Sequence, residues 1–398
     1  MKEDDSPKVL LATCGGYWLH HVALAFEKRR ALAGLWVAAR KKRLADLPSE
    51  KVRCCQVFHL MMMPFYLWTP QIWSERIFYA LLPIWRAWFR TQPVPECSVV
   101  QAITGFATEP FDEAEKIGAL KVADCPNSHP VSLYGFWQRE CDLWCPGEKV
   151  PIPRWMFARM NRELERADLI LCPSRFVRDS MIASGLDPEK CFLNPFGVDT
   201  SMFTPRTAAP VVPRFICVGT ICLRKGHQYL FRAFEIVKRR VPKAEMICVG
   251  GYKRDFRKEK PKWIGTFTHY ESLTHAQVAE LLRTCTAFVL LSCEEGLARV
   301  IPEAMAASLP IIATYESGAT TLVENAVEGF IVRSRDPAPI AQAMIRLAED
   351  QELNHRMGEA ARQKGAVRNT WQDYGDRLLA EYQARLTRPA GSAPFNPK

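Results

Sequence analysis

No stretch of eighteen apolar residues occurs in the 398-residue chain, so no membrane-spanning helix is predicted. The acid-rich start, MKEDDSPK, has no basic segment followed by an apolar one, and no secretory signal is expected. Cys-x-x-Cys is absent, although the chain has fourteen cysteines. They sit singly in apolar runs (Cys217, Cys248, Cys285, Cys293), apart from the adjacent Cys54 and Cys55. Cys141 and Cys145 could share a helix face, but no second pair lies at zinc spacing. Buried reduced thiols are the expectation, rather than a disulfide scaffold or a zinc site. GxGxxG is missing as well, which counts against a dinucleotide-dependent dehydrogenase.

With 48% hydrophobic and 24% charged residues, the chain is an ordinary globular one, long enough for two cores. Its net charge of +10 is uneven: residues 214–262 carry fourteen Lys/Arg against four Asp/Glu. A basic balance suits an anionic partner: a nucleotide, an anionic lipid surface or nucleic acid.

Continuous apolar runs separated by helical patterns recur along the chain. KVLLATC (8–14), GLWVAAR (34–40), VRCCQVFHL (52–60), CSVVQAITG (97–105), LKVADC (120–125), LERADLILCPS (164–174, a helix end leading into a strand) and KCFLNPFGV (190–198) read as buried strands of a parallel sheet. DTSMFTPRTAAPVVP (199–213) reads as a linker. The pattern then restarts with RFICVGT, AEMICVG, TAFVLLS, LPIIAT and GFIVRS between 214 and 334. The expected class is α/β, with two doubly wound, Rossmann-like domains facing across a cleft. The first spans 1–198 and the second 214–368. A helix at about 369–386 packs back on the first domain, and 387–398 is a tail. In such sheets ligands bind at the carboxyl ends of the strands.

Two stretches carry chemistry. Gly219-Thr-Ile-Cys-Leu-Arg224-Lys225-Gly226 follows a strand and opens a helix, so free N–H donors, the dipole and a lysine converge as a diphosphate needs. The spacing is not that of a Walker A loop, and a strand–turn–helix with surface basic residues is the plain alternative. In Ser292-Cys-Glu-Glu295-Gly296-Leu297-Ala298-Arg-Val300-Ile-Pro302-Glu303, Glu295 and Glu303 are eight apart, one in a loop and one at a helix start. Ionised carboxylates there could each hold paired sugar or ribose hydroxyls; equally, the acids could simply answer the helix dipole.

VGTICLRKG (218–226), SCEEGLARVIPEAMAASLPIIAT (292–314) and SGATTLVENAVEGFIV (317–332) together resemble the nucleotide-binding half of the retaining family-4 glycosyltransferases, which have the GT-B fold. LERADLILCPSRFVRDSMIASGLDPEKCFLNPFGVDTSMFTP (164–205) is similar to that family's segment leading into the linker, whereas the resemblance is looser over 1–163. The resemblance implies a hexosyl or glycosyl transferase that takes a UDP- or GDP-sugar and retains anomeric configuration. It implies no required cofactor and no divalent metal; no Asp-x-Asp is present. By position, Lys225 would neutralise the diphosphate beside the Gly219 turn, Glu303 would hold the ribose and Glu295 the transferred sugar; Arg224 could add a bidentate contact or simply point to solvent. The backbone of Gly296, Leu297, Ala298 and Val300 would contact sugar and phosphate, and Gly265-Thr266 would lie by the base. Gly16 would let the first domain approach the phosphates, and His129 would sit by the reacting carbon. Thr220 stands where many members have arginine, and Leu297 and Ala298 where they have an aromatic residue and glycine.

On the acceptor side, His20 and His21 follow the first glycine turn, and one could reach an acceptor. Residues 57–90, with four tryptophans, three methionines and Arg76, Arg86 and Arg90, suit a bilayer interface or a groove for a lipid-linked acceptor. A helical hairpin packed on the first domain is the alternative, with Pro64, Pro70 and Pro83 breaking any long helix. The expected acceptor is a sugar, a lipid-linked molecule or a small molecule, in cell-envelope polysaccharide or glycolipid synthesis. The expected place is the cytoplasm, with peripheral contact on the inner face of the membrane. Two other readings stay open. One is a phosphorylase-like enzyme, for whose pyridoxal phosphate nothing in the sequence asks. The other is a basic membrane- or nucleic-acid-associated binding protein on the same scaffold.

Overall fold

Val9–Thr13 and Val99–Ile103 are buried along their whole length, as strands covered by helices on both faces must be. The computed structural model describes residues 6–15, 18–38, 44–68, 71–147, 150, 152–207, 210–365 and 369–388. Gly16 and Pro70 lie outside the described residues, as does the tail from 389.

The first sheet is parallel and holds β1 (Val9–Thr13), β2 (Leu32–Val37), β3 (Val52–Cys54), β4 (Val99–Ile103), β5 (Leu120–Asp124), β6 (Leu169–Cys172) and β7 (Cys191–Leu193), in the order 3-2-1-4-5-6-7. Its helices are α1 (Leu19–Lys28), α2 (Gln56–Trp68), α3 (Gln71–Arg90), α4 (Thr108–Ile117), α5 (Pro130–Trp144), α6 (Arg154–Arg166) and α7 (Arg175–Ala183). The second sheet holds β8 (Arg214–Val218), β9 (Glu245–Val249), β10 (Thr268–Tyr270), β11 (Ala287–Leu290), β12 (Ile311–Thr314) and β13 (Gly329–Val332), in the order 10-9-8-11-12-13. Around it lie α8 (His227–Arg240), α9 (Lys260–Trp263), α10 (His275–Leu282), α11 (Val300–Ala306), α12 (Pro337–Glu349) and α13 (Gln351–Gly365); α14 (Trp371–Thr387) follows. The second strand order reverses between β8 and β11, so the loops after those two strands open the crevice where such sheets take ligands.

Two expectations need correction. The apolar run 52–60 is a strand only to Cys54. From Gln56 it is helical, because Phe58 and Met62, four apart, reach the core while Val57, Leu60 and Met61 stay exposed. Nor do Pro64 and Pro83 break their helices: α2 and α3 run through them. An internal proline costs about 3 kcal/mol, and on α3 the buried Leu82, Trp85 and Phe89 offset it by packing into the first core. Strand β10 was absent from the expected set; three residues at a sheet edge leave almost no periodicity to read.

The chain crosses between the domains twice, and the crossings are bound together. The Val198 N–H donates to the Asn369 carbonyl at 2.8 Å, and Asn369 Nδ2 donates to the Phe196 carbonyl at 2.8 Å. Past the second crossing, Tyr374, Leu378 and Tyr382 of α14 join the first core. Helix α5 starts in the first domain, but its far end is in the second. Cys141 and Cys145 belong to the second core, and buried Glu140 accepts from Gln228 Nε2 (2.8 Å), the Tyr229 hydroxyl (2.9 Å) and Arg335 Nε (2.5 Å). The expected boundary at 198 therefore does not separate the two cores. None of the fourteen cysteines is in a disulfide, and all but Cys54 and Cys97 are buried.

Candidate active site

The turn after β8 is shaped by glycine. Gly226 caps α8 at φ +74°, and a Cβ there would meet the Leu291 carbonyl oxygen at 2.0 Å, so only glycine lets the turn close against the end of β11. Gly219 has φ +144°, and the Lys225 side chain folds back over it. Neither cation is a surface residue. The Lys225 ammonium pairs with Glu295 Oε2. Arg224 Nη1 donates to the Glu294 carbonyl at 3.0 Å and lies 3.3 Å and 3.4 Å from the Oε2 atoms of Glu294 and Glu295. Burial alone would raise the Glu295 carboxyl, but the charges of Lys225 and Arg224 outweigh it and hold the group below the usual range. Burial would likewise lower Arg224, yet Glu295 and Glu294 outweigh it and push the guanidinium up.

The loop holding these acids is the seam between the domains. Leu297 packs in the first core and the next residue, Ala298, in the second. Gly296 lies so close to the first domain that a Cβ would fall 2.0 Å from the Pro126 carbonyl oxygen. On its other side, Ser174 Oγ donates to the Gly296 carbonyl at 2.5 Å. Val300 is the half-buried first residue of α11. The carboxyl of Glu303, one turn on, makes no hydrogen bond or ion pair with a described residue, and burial pushes it up to about 7, opposed only by Arg299.

His129 caps α5 from the facing domain. Its Nδ1 accepts from the Val131 N–H at 3.3 Å, which leaves the proton of the neutral ring on Nε2, and burial lowers its pKa. Its own N–H donates to Ser180 Oγ at 2.9 Å. One residue earlier, Ser128 gives both its N–H (3.0 Å) and its hydroxyl (3.1 Å) to Glu294 Oε1. The structure thus brings Gly219, Arg224, Lys225, Glu295, Gly296, Leu297 and Ala298 to one seam, with the His129 loop bound against it.

Other expected residues lie elsewhere. Gly265 and Thr266 precede β10, whose Thr268 pairs with Ile247 and Tyr270 with Val249; they sit at the amino edge of the sheet, away from the turn after β8. It is the segment after β9 that reaches this turn, through the Lys253 N–H to the Ile221 carbonyl (2.8 Å) and the Leu223 N–H to Asp255 (3.3 Å). His21 stacks on Trp371 at the start of α14, with ring centroids 4.6 Å apart, and His20 lies against His21. Thr220, in the position of the missing arginine, is exposed. The residues that sequence reasoning missed are Ser128, Ser174 and Glu294. The Glu294-Glu295 doublet was visible, but the eight-residue spacing singled out only its second member.

Residues 208–364 match the family described as glycosyl transferases group 1. The match falls almost wholly within the second domain. Among relatives, the chain is 27% identical over 252 residues to a GDP-mannose-dependent alpha-(1-6)-phosphatidylinositol monomannoside mannosyltransferase of Mycobacterium tuberculosis, covering 58% of this chain and 64% of that one. It is 27% identical over 236 residues to a D-inositol 3-phosphate glycosyltransferase of Stackebrandtia nassauensis, covering 53% and 52%. The matches thus span 52% to 64% of these relatives' own length. In fold, the chain matches sucrose-phosphate synthase from Thermosynechococcus elongatus at TM-score 0.70 and 16% identity, over 96% of this chain and 99% of that one. It matches Anabaena HepE, solved with UDP and glucose, at TM-score 0.66 and 15% identity, over 95% and 100%. With its two sheets of seven and six strands, the fold is GT-B.

Proposed function

We propose that this chain transfers a sugar from a UDP- or GDP-sugar to an acceptor, with retention of configuration and without a required divalent metal, in the synthesis of an envelope polysaccharide or glycolipid. The observation that carries the reading is the cluster of Lys225, Arg224 and Glu295 at the strand-order reversal of a group 1 domain. In this reading the donor diphosphate takes over Lys225, which stabilises the charge that develops on the leaving phosphate. Freed from the ammonium, the Glu295 carboxylate accepts hydroxyls of the transferred sugar. Arg224 stays with the two glutamates, so it orients them and also adds positive field. Glu303 binds the ribose hydroxyls, and backbone groups of Gly296, Leu297, Ala298 and Val300 line the sugar and phosphate. Attack comes from the face that the phosphate leaves, with the phosphate as base, and the Nε2–H of His129 points its dipole at the reacting centre. In this reading cationic side chains supply the charge that a metal would.

The names of the relatives support a lipid-linked or inositol-containing acceptor. Val57, Leu60, Met61 and Met63 on α2 are exposed and suit contact with a membrane surface, and no helix among the described residues is long and apolar enough to cross one. The cytoplasmic face is the proposed place. The basic binding-protein alternative gains nothing from this site, whose two cations are both paired with acids.

A panel of UDP- and GDP-sugars tests the reading. One of them is expected to be hydrolysed or transferred, and its nucleotide to raise the melting temperature with the logarithm of concentration. If no nucleotide stabilises the protein and no donor turns over, the reading falls.

Glu303 sets a pH dependence. Its folded-state pKa is raised to about 7, so the carboxyl is protonated at pH 6 and ionised at pH 8. A ligand that prefers the acceptor-only carboxylate releases a proton on binding below pH 7. Nucleotide affinity is therefore expected to fall by up to about tenfold from pH 8 to pH 6. Calorimetric titration at both pH values checks this, and Glu303→Gln should flatten the profile.

A further inference from the structure

Glu294 is the most enclosed charged group at the seam, with 1% of its surface exposed, and it has no part in the donor contacts proposed above. Both of its oxygens are used. Oε1 accepts the N–H and hydroxyl of Ser128 from the first domain, and Oε2 faces Arg224 Nη1 at 3.3 Å in the second. A buried carboxylate with these partners is fixed in place, because releasing any of them leaves a charge without compensation. Ser128 is joined directly to His129, and Glu294 directly to Glu295, the partner of Lys225. The same side chain therefore sets the distance between the histidine of one domain and the acid–lysine pair of the other. A second contact keeps the spacing short, because Gly296 rests on the Pro126 carbonyl two residues before Ser128.

We infer that Glu294 is a positioning residue, a strut that holds the Ser128–His129 loop in register with Glu295 and Lys225. The inference rests on the transferase reading for its consequence in turnover, but not for its geometry. Glu294 itself touches no substrate. Its loss would let the His129 loop drift, while Arg224 keeps the carbonyl of residue 294 and Glu295, and Lys225 keeps Glu295. A displacement of about 1 Å at a reacting centre can cost about 10²-fold in rate.

The test uses the full chain with Glu294→Ala, Glu294→Gln and Ser128→Ala. Ser128→Ala removes one arm of the strut from the opposite domain and serves as the second variant should Glu294→Ala fail to fold. Four quantities are read: kcat, nucleotide affinity by calorimetry, melting temperature, and the imidazole 15N signals of His129 in the unliganded protein. In Glu294→Ala and Ser128→Ala, the single neutral tautomer of His129 is expected to become averaged. kcat should drop roughly 30- to 100-fold for Glu294→Ala, while nucleotide affinity stays within about threefold. Glu294→Gln keeps an oxygen for Ser128 and should recover part of the loss. The strut is overturned if Ser128→Ala leaves both the His129 spectrum and kcat as in the parent. It is also overturned if affinity and melting temperature fall in step with kcat, as a purely structural role would have it. A parent protein silent toward every nucleotide sugar would sink the transferase reading, and the His129 spectra would still decide the strut.

Discussion

Lys225→Ala is expected to lower kcat/KM for the donor by roughly ten- to 150-fold, the equivalent of the 1.5–3 kcal/mol that a hydrogen bond to a charged group contributes. In the proposed function the lysine has two jobs in succession. In the unliganded protein it neutralises Glu295, whose side chain is largely enclosed and is otherwise offset only by Arg224 at 3.4 Å. With donor bound, its charge moves to the diphosphate. Removing it should therefore raise the Glu295 pKa toward and above the ordinary carboxylate range, since burial is then opposed by Arg224 alone. Two measurements separate these effects. Nucleoside diphosphate titration reads the phosphate contact, and the pH–rate profile reads the carboxylate, whose acid limb should move to higher pH in the variant. Lys225→Arg keeps the charge on a different fork and should recover binding better than turnover. Unchanged nucleotide affinity in Lys225→Ala would remove the diphosphate from this turn.

Gly296→Ala should be nearly as damaging although it adds only a methyl group. The new Cβ would sit 2.0 Å from the Pro126 carbonyl oxygen and 2.9 Å from its carbon, and neither is a flexible side-chain end. The loop has little room to yield, because Leu297 is fixed in one core and Ala298 in the other. Relief must come from separating the domains at the seam, which also draws Ser128 away from Glu294. A loss of about 10²-fold in kcat is expected, with a stability loss of about 1–3 kcal/mol by denaturant titration, the usual range for overpacking. Gly135→Ala is the matched control: it lies within α5 with nothing inside 4 Å of the added atom, and should be neutral or slightly stabilising. If Gly296→Ala behaves like that control, the seam is looser than these distances state.

Most of the fold was legible because buried parallel strands are continuous apolar runs, and KVLLATC, RFICVGT and TAFVLLS can hardly be read otherwise. The misreadings came where local pattern and tertiary context part. Residues 55–60 are as apolar as a strand, and only the four-residue step from Phe58 to Met62 betrays a helix. Pro83 breaks a helix in isolation, yet α3 has enough buried aromatic surface to continue through it. At the site, Lys225 and Glu295 were legible from spacing and type, because each sits at a turn that the sequence marks with glycine. Glu294 was not. Its role comes from Ser128, 166 positions away, and no spacing rule reaches across two domains. Gly265 misled for a related reason: a loop glycine says that the chain turns, but not at which edge of the sheet.

Helix α5 has a practical consequence for anyone who would treat the chain as two exchangeable cassettes. Its first turn holds the histidine of one half, while its last turns fill a socket in the other, with Glu140 accepting three hydrogen bonds there. A chimera joined at the linker would inherit a plug cut for a foreign socket, and a fragment beginning at 199 would have an open apolar hole where Cys141 and Cys145 belong. Grafting a new donor half onto this scaffold therefore means carrying residues 137–145 along with it.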